Sequence, residues 1–137
     1  MIQDIGKHVY NNHFEHREAM PGSYVLHYAG DTVLCKLDGA AIELPRLSDF
    51  SDEPRLQYLF SIDEKDFFLA RSEQVSLEGF SRETVGQLRS AEPQYLLFAV
   101  VTGWQLFHWY EANRYCGRCG HPTQAAPASR ELCCPAC

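Results

Sequence analysis

Long apolar runs are missing from this chain: no segment approaches the roughly 18 to 20 consecutive apolar residues that a bilayer-spanning helix needs. The opening MIQDIGKHVYNN also lacks the apolar stretch of a secretory signal. These absences predict a cytoplasmic protein with no membrane partner. Basic residues are scarce as well, with 12 Lys and Arg against 18 Asp and Glu. Residues 1–110 hold 9 of the first kind and 16 of the second, so the main body repels polyanions and bulk nucleic-acid binding is disfavoured. Only Arg114, Arg118 and Arg130 could form a small basic spot. Low-complexity tracts and internal repeats are absent. Cysteine is nearly so over the first 115 residues, where Cys35 stands alone, yet five cysteines crowd the last 22.

What is present fits one domain, or a small domain with an appendage: 137 residues, 45% hydrophobic and 22% charged. Three histidines (His8, His13, His16) lie in the polar first 22 residues, but spacings of five and three do not bring them together on one helix face in a segment with little apolar periodicity, so they read as solvated surface. From Ser23 the β-branched and aromatic runs SYVLHYA and TVLCKL flank Gly30 and Asp31, a two-residue hairpin signal. Asp38 and Gly39 supply a second tight turn, and residues 40–44 return as the third strand of a meander. Cys35 falls in line with Val33 and Leu37 and reads as a small core hydrophobe. After a loop at 45–55, the alternation of Leu56, Tyr58, Phe60 and Ile62 predicts a half-buried strand, and the turn Asp63 to Asp66 leads into FFLAR as a second hairpin. Those turn carboxylates read as solvated groups and not as an acid–base pair.

Ser81, Arg82 and Glu83 resemble a helix start running toward Arg89, and Glu92-Pro93 restarts a longer helix. Residues 94–113 are the longest stretch of helical periodicity, through Leu97, Val100, Val101 and Trp104, predicting a largely buried helix of about 30 Å. Gly103 weakens that helix slightly, and Trp104 and Trp109 read as packing residues.

Cys116 and Cys119, then Cys134 and Cys137, form two CxxC units separated by 14 positions. Two such knuckles can turn four thiolates toward one tetrahedral zinc while the spacer returns as a short hairpin. Gly117 and Gly120 suit the knuckle by letting backbone N–H groups point at sulfur. Redox CxxC chemistry and disulfides remain as alternatives, although the strand–helix context of a thioredoxin-like site is missing and the chain has no export signal. Four thiolates leave no position for water, so the zinc would be structural. Cys133 and His121, each close to a ligand, are left out of the coordination sphere.

The strand-rich front, the helix entering the first knuckle and the run WYEANRYCGRCGHPT ahead of a second CxxC together resemble the N-terminal half of NADH pyrophosphatases, the zinc-ribbon members of the Nudix hydrolase superfamily. Trp109, seven residues before Cys116, Tyr115 immediately before it, and CGxCG carry the match; Leu44-Pro45 adds a weaker agreement. Tyr110, where the family often has histidine, and Cys133 depart from it. The resemblance implies an α+β protein: a small antiparallel sheet domain, with a long helix leading into a C-terminal zinc ribbon. It divides the chain into a strand-rich Nudix-like domain at 1–93, a connecting helix at 94–113 and the ribbon at 114–137, with zinc on Cys116, Cys119, Cys134 and Cys137.

Full-length relatives cleave NADH to AMP and reduced nicotinamide mononucleotide, and some remove NAD caps from RNA. Their catalysis uses a glutamate-rich Nudix box with magnesium or manganese. No segment of this sequence fits that box, so no catalytic or cofactor-binding residue carries over. The expectation is a noncatalytic front of such an enzyme, a fragment or truncated frame that is inactive alone. It would support a homodimer and meet NAD(H) only together with the Nudix domain. A free-standing zinc-ribbon adaptor, binding a protein or a nucleic acid, is the alternative.

Overall fold

The run SYVLHYA does not stay in one sheet. In the computed structural model, which describes residues 2–71 and 75–137, it breaks at His27, and its two halves join different sheets. Numbering strands along the chain, β1 is Tyr10–Asn11, β2 Tyr24–Leu26, β3 Tyr28–Ala29, β4 Thr32–Asp38 and β5 Ala41–Glu43. The β3–β4 hairpin turns at Gly30 and Asp31 as the sequence predicts, with Tyr28 opposite Val33 and Gly30 at φ +61°. The next turn falls one residue later than expected. Asp38 pairs with Ala41, so Gly39 and Ala40 form the bend, with Gly39 at φ +62°.

β6 (Leu56–Ile62) and β7 (Lys65–Ala70) form the second hairpin, turned by Asp63 and Glu64, both at positive φ. The turn carboxylates are not simply solvated. Asp63 accepts from the Val9 N–H at 2.8 Å and meets His8 Nδ1 at 2.5 Å, which ties the N-terminal segment down, while Asp66 pairs with Arg17 at 2.6 Å. Together β1, β6, β7 and β2 make one four-stranded sheet. Its β2–β7 pair is parallel, with Tyr24 opposite Phe67, so the antiparallel-rich fold contains one pair that the sequence reading did not include. The physical reason is the break at His27: β2 reaches β7 only after the chain has built the other sheet, and such a long connection permits a parallel approach.

Two further expectations are corrected. β6 is not half-buried, because Tyr58 through Ile62 are all buried and a bulge between Tyr58 and Phe60 interrupts the alternation. Its second face is covered by the N-terminal segment and by Arg130. Ser81–Thr84 is not a helix start but strand β8, lying along β4 with Ser81 opposite Cys35. Pairing with β4 satisfies several backbone groups at once, outweighing a local helix-start signal of about 1 kcal/mol. Only Val85–Leu88 winds, as a 3-10 turn that buries Val85 and Leu88. Arg82 holds the strand in place by reaching His27 Nδ1 at 2.6 Å and the Val75 carbonyl at 3.2 Å.

The long helix α1 spans Gln94–Ala112 as expected, and Leu96, Leu97, Ala99 and Val100 enter one core with residues of both sheets. Gly103 sits where the helix meets β2 and β3: a Cβ there would lie 2.5 Å from Tyr28 Oη and 2.6 Å from Leu26 Cδ1. The close approach lets the Tyr28 hydroxyl donate to the Val100 carbonyl at 2.6 Å. Trp104 donates from Nε1 to the Gly30 carbonyl at 3.0 Å, whereas Trp109 is 39% exposed. Cys35 is wholly buried, as expected of a core hydrophobe, and burial pushes its thiol up to about 11. Leu37, expected on the same face, lies instead at the exposed end of β4. Among the described residues no helix is long and apolar enough to cross a membrane.

Candidate metal centre

Helix α1 ends where Asn113 donates from its backbone N–H to the Trp109 and Tyr110 carbonyls. The chain then enters the first knuckle within three residues. Thr123 closes the entry from the other side, its N–H reaching the Arg114 carbonyl at 2.9 Å and its hydroxyl donating to the Asn113 carbonyl at 2.6 Å. An isolated bridge pairs Tyr115 with Pro122. The spacer then returns as β9 (Gln124–Ala125) and β10 (Leu132–Cys133), antiparallel, with Leu132 opposite Ala125. This is the short hairpin that the spacing predicts.

That hairpin brings the sulfurs of Cys116, Cys119, Cys134 and Cys137 within 4.8 Å of one another. Two of the pairs are 3.6 Å (Cys116 and Cys137) and 3.4 Å (Cys119 and Cys134). Four sulfurs about 2.3 Å from a tetrahedral ion stand about 3.8 Å apart, so the cluster has the dimensions of a metal site. All six cysteines are free, and these separations exceed the roughly 2.05 Å of a disulfide. Among the described residues no other group of His, Cys, Asp or Glu meets the same geometric test. The three N-terminal histidines disperse accordingly: His8 goes to Asp63, and His16 places Nε2 3.1 Å from the Pro127 carbonyl.

The knuckles resemble each other. Arg118 N–H lies 3.4 Å from Cys116 Sγ, and Ala136 N–H lies 3.4 Å from Cys134 Sγ. Gly120 bends the first knuckle as expected, but its own N–H donates to the Cys116 carbonyl at 2.9 Å and not to a sulfur. Gly120 adopts φ +78°, a conformation glycine reaches without strain. That turn lets the next amide, His121, face the Cys119 thiol. His121 also accepts from the Cys116 N–H through its carbonyl at 2.7 Å. Its imidazole lies outside the sulfur cluster, as does Cys133, exposed on β10 opposite Gln124.

These amides polarise the tetrad unequally. The N–H groups of Cys119 and Arg118, with the Cys137 thiol, pull Cys116 down to about 6. The N–H groups of Ala136 and Cys137 lower Cys134. Cys137, facing Cys116, Cys134 and Cys119, is pushed up to about 12. Cys119 is drawn down by the His121 N–H, yet the neighbouring Cys134 leaves it raised overall. Near neutral pH Cys119 and Cys137, both raised, therefore still carry protons in the metal-free cluster. A metal must displace at least those two, so binding strengthens as pH rises. Chelator competition should show apparent affinity falling by at least about a hundredfold from pH 7.5 to pH 6.5. A pH-independent affinity would mean that binding displaces no thiol proton, and would overturn this picture of the cluster.

No known family model matches this chain, and no curated protein does. The functional reading rests on the cluster's geometry and on the sequence pattern around it.

Sequence inspection missed a second feature of the same region. Arg114 and Arg130, two of the three residues expected to form a basic spot, are joined by Arg17, Arg55 and Arg71 around a cleft between the ribbon and β6; Arg118 does not line it. The five arginines come from five separate stretches of chain, and no local pattern announces their convergence.

Proposed function

We propose that residues 1–137 form the noncatalytic sheet and zinc-ribbon part of an NADH pyrophosphatase-like Nudix hydrolase. The observation that carries this reading is the direct entry of α1 into a four-sulfur cluster, with Trp109 and Tyr115 flanking the entry as the motif requires. Soft thiolate donors in tetrahedral proximity favour zinc over harder ions, and an ion held by all four has no open position for water. The zinc is structural in this reading. It fixes the ribbon and does not activate a nucleophile.

The acidic groups of the turn support a noncatalytic role, because Asp63 and Asp66 are engaged with His8, Val9 and Arg17. Hydrolysis of a diphosphate in NADH would then rely on the glutamate box of a Nudix domain and its magnesium or manganese, outside these residues. The present segment would support the homodimer and help frame the nucleotide site.

Two measurements test the proposal. Zinc-replete protein of residues 1–137 should give no turnover of NADH to AMP with added magnesium or manganese, because the diphosphate-positioning carboxylates are absent. Turnover that tracks this chain through purification fractions would overturn that expectation. The coding frame beyond codon 137 is the second test. A Nudix box in that frame supports the reading, and a stop codon with no such box nearby turns it toward a free-standing ribbon adaptor.

A further inference from the structure

The cleft between the ribbon hairpin and the sheet has a volume of about 780 Å³, within the usual range for small-ligand pockets. It gathers five of the chain's 12 basic residues in a protein of net charge −6, and among the described residues Glu15 is the one carboxylate lining it. Two of the arginines have carboxylate partners: Arg17 pairs with Glu15 and Asp66, and Arg114 approaches Glu111 at 3.5 Å. Arg55 and Arg71 form no ion pair among the described residues. Arg130 spends one nitrogen on the Leu59 carbonyl at 2.7 Å, while its Nη1 is buried with no partner among the described residues.

Aromatic rings fix the directions of these groups. The guanidinium carbons of Arg17, Arg71, Arg114 and Arg130 lie 5.0, 5.5, 5.8 and 5.9 Å from the ring centroids of Tyr58, Tyr110, Tyr115 and Phe14. A guanidinium over a ring keeps its N–H donors at its edge, where a planar fork can meet an oxyanion. The Tyr110 hydroxyl is a second, independent sign. Tyr110 is only 3% exposed, lines the cleft, and has no hydrogen-bond partner among the described residues for its buried oxygen. A buried unsatisfied hydroxyl costs about 1–3 kcal/mol, which a ligand oxygen in the cleft would relieve.

We propose that this cleft is a binding site for a small phosphate-bearing anion, held by Arg55, Arg71 and Arg130 with the Tyr110 hydroxyl as a further donor. Guanidinium forks match phosphate oxygens in bidentate fashion, and a diphosphate is of a size to meet several at once. A small ligand fits better than a polymer, because the acidic remainder of the surface repels an extended polyanion. The site is independent of the hydrolase reading above and stands or falls separately from it.

The test is calorimetric titration of the metal-replete chain with inorganic pyrophosphate at low, fixed ionic strength. Saturable one-to-one binding is expected, weakened at least about tenfold in Arg55→Gln/Arg71→Gln, which removes two groups that form no ion pair among the described residues. Arg89→Gln, outside the cleft, should leave it unchanged. Tyr110→Phe should weaken binding a few fold without lowering the melting temperature, since the hydroxyl it removes has no partner among the described residues; a purely structural tyrosine would not affect binding. No saturable binding, or equal binding by the double variant, would overturn the proposal. Tighter binding of a short 5′-phosphorylated oligonucleotide than of pyrophosphate would replace the small ligand by a polymer, and so overturn it as well.

Discussion

Substituting Cys116 with serine is expected to release the metal and unfold the ribbon while leaving the sheets folded. The hairpin of β9 and β10 has two residues in each strand and little core of its own. Coordination must therefore supply most of its stability, and structural zinc contributes about 10–16 kcal/mol in comparably small ribbons and fingers. The body differs, because Leu59, Phe60, Phe67, Leu69 and Val100 are buried in a core shared by both sheets and α1. Bound zinc, measured by mass spectrometry, should fall from about one equivalent per chain to below about a tenth. Amide exchange should show β6 and β7 still protected while residues 116–137 lose protection. Simultaneous loss of protection in β6 and β7 would show that the ribbon is part of the folding core, held there by Arg130 on the Leu59 carbonyl and by Leu132.

The second large effect is expected in the body. Gly103→Val should destabilise it by about 3 kcal/mol, since overpacking a close contact typically costs about 1–3 kcal/mol and the Tyr28–Val100 hydrogen bond, about 1 kcal/mol, would be displaced too. The added carbon would stand 2.5 Å from Tyr28 Oη and 2.6 Å from Leu26 Cδ1, neither of which is the loose end of a surface side chain. Valine has only a modest helix penalty against alanine and is better in a helix than glycine, so propensity alone predicts the opposite sign. Gly86→Ala is the control, because nothing lies within 4 Å of its added carbon. Denaturant titration of the two variants should separate them clearly. A Gly103→Val protein as stable as the parent would mean that α1 can move away from β2 and β3 without cost.

The cysteine cluster was legible in the sequence because its determinants are local. Each CxxC closes its own turn, and a 14-residue spacer has little choice but to come back on itself as a hairpin. Which amide faces which sulfur was not legible. The amide facing Cys119 is that of His121 and not of Gly120, since the direction of an N–H depends on the φ and ψ values the turn adopts.

The turns and the long helix were likewise set by near neighbours: Gly30 with Asp31, the bend at Gly39, and the apolar periodicity of α1 follow from backbone freedom and spacing within a few residues. Three features needed the folded chain. Ser81–Thr84 became a strand because β4 offered it a partner, Tyr24–Leu26 joined β7 in parallel because the break at His27 sent the two halves of one run to different sheets, and five arginines converged from residues 17 to 130. Sequence by itself determined the elements whose stabilising contacts lie close along the chain. Tertiary structure decided those whose partners are distant, because pairing a free strand edge or gathering like charges around a cleft depends on contacts that form only when remote segments pack together.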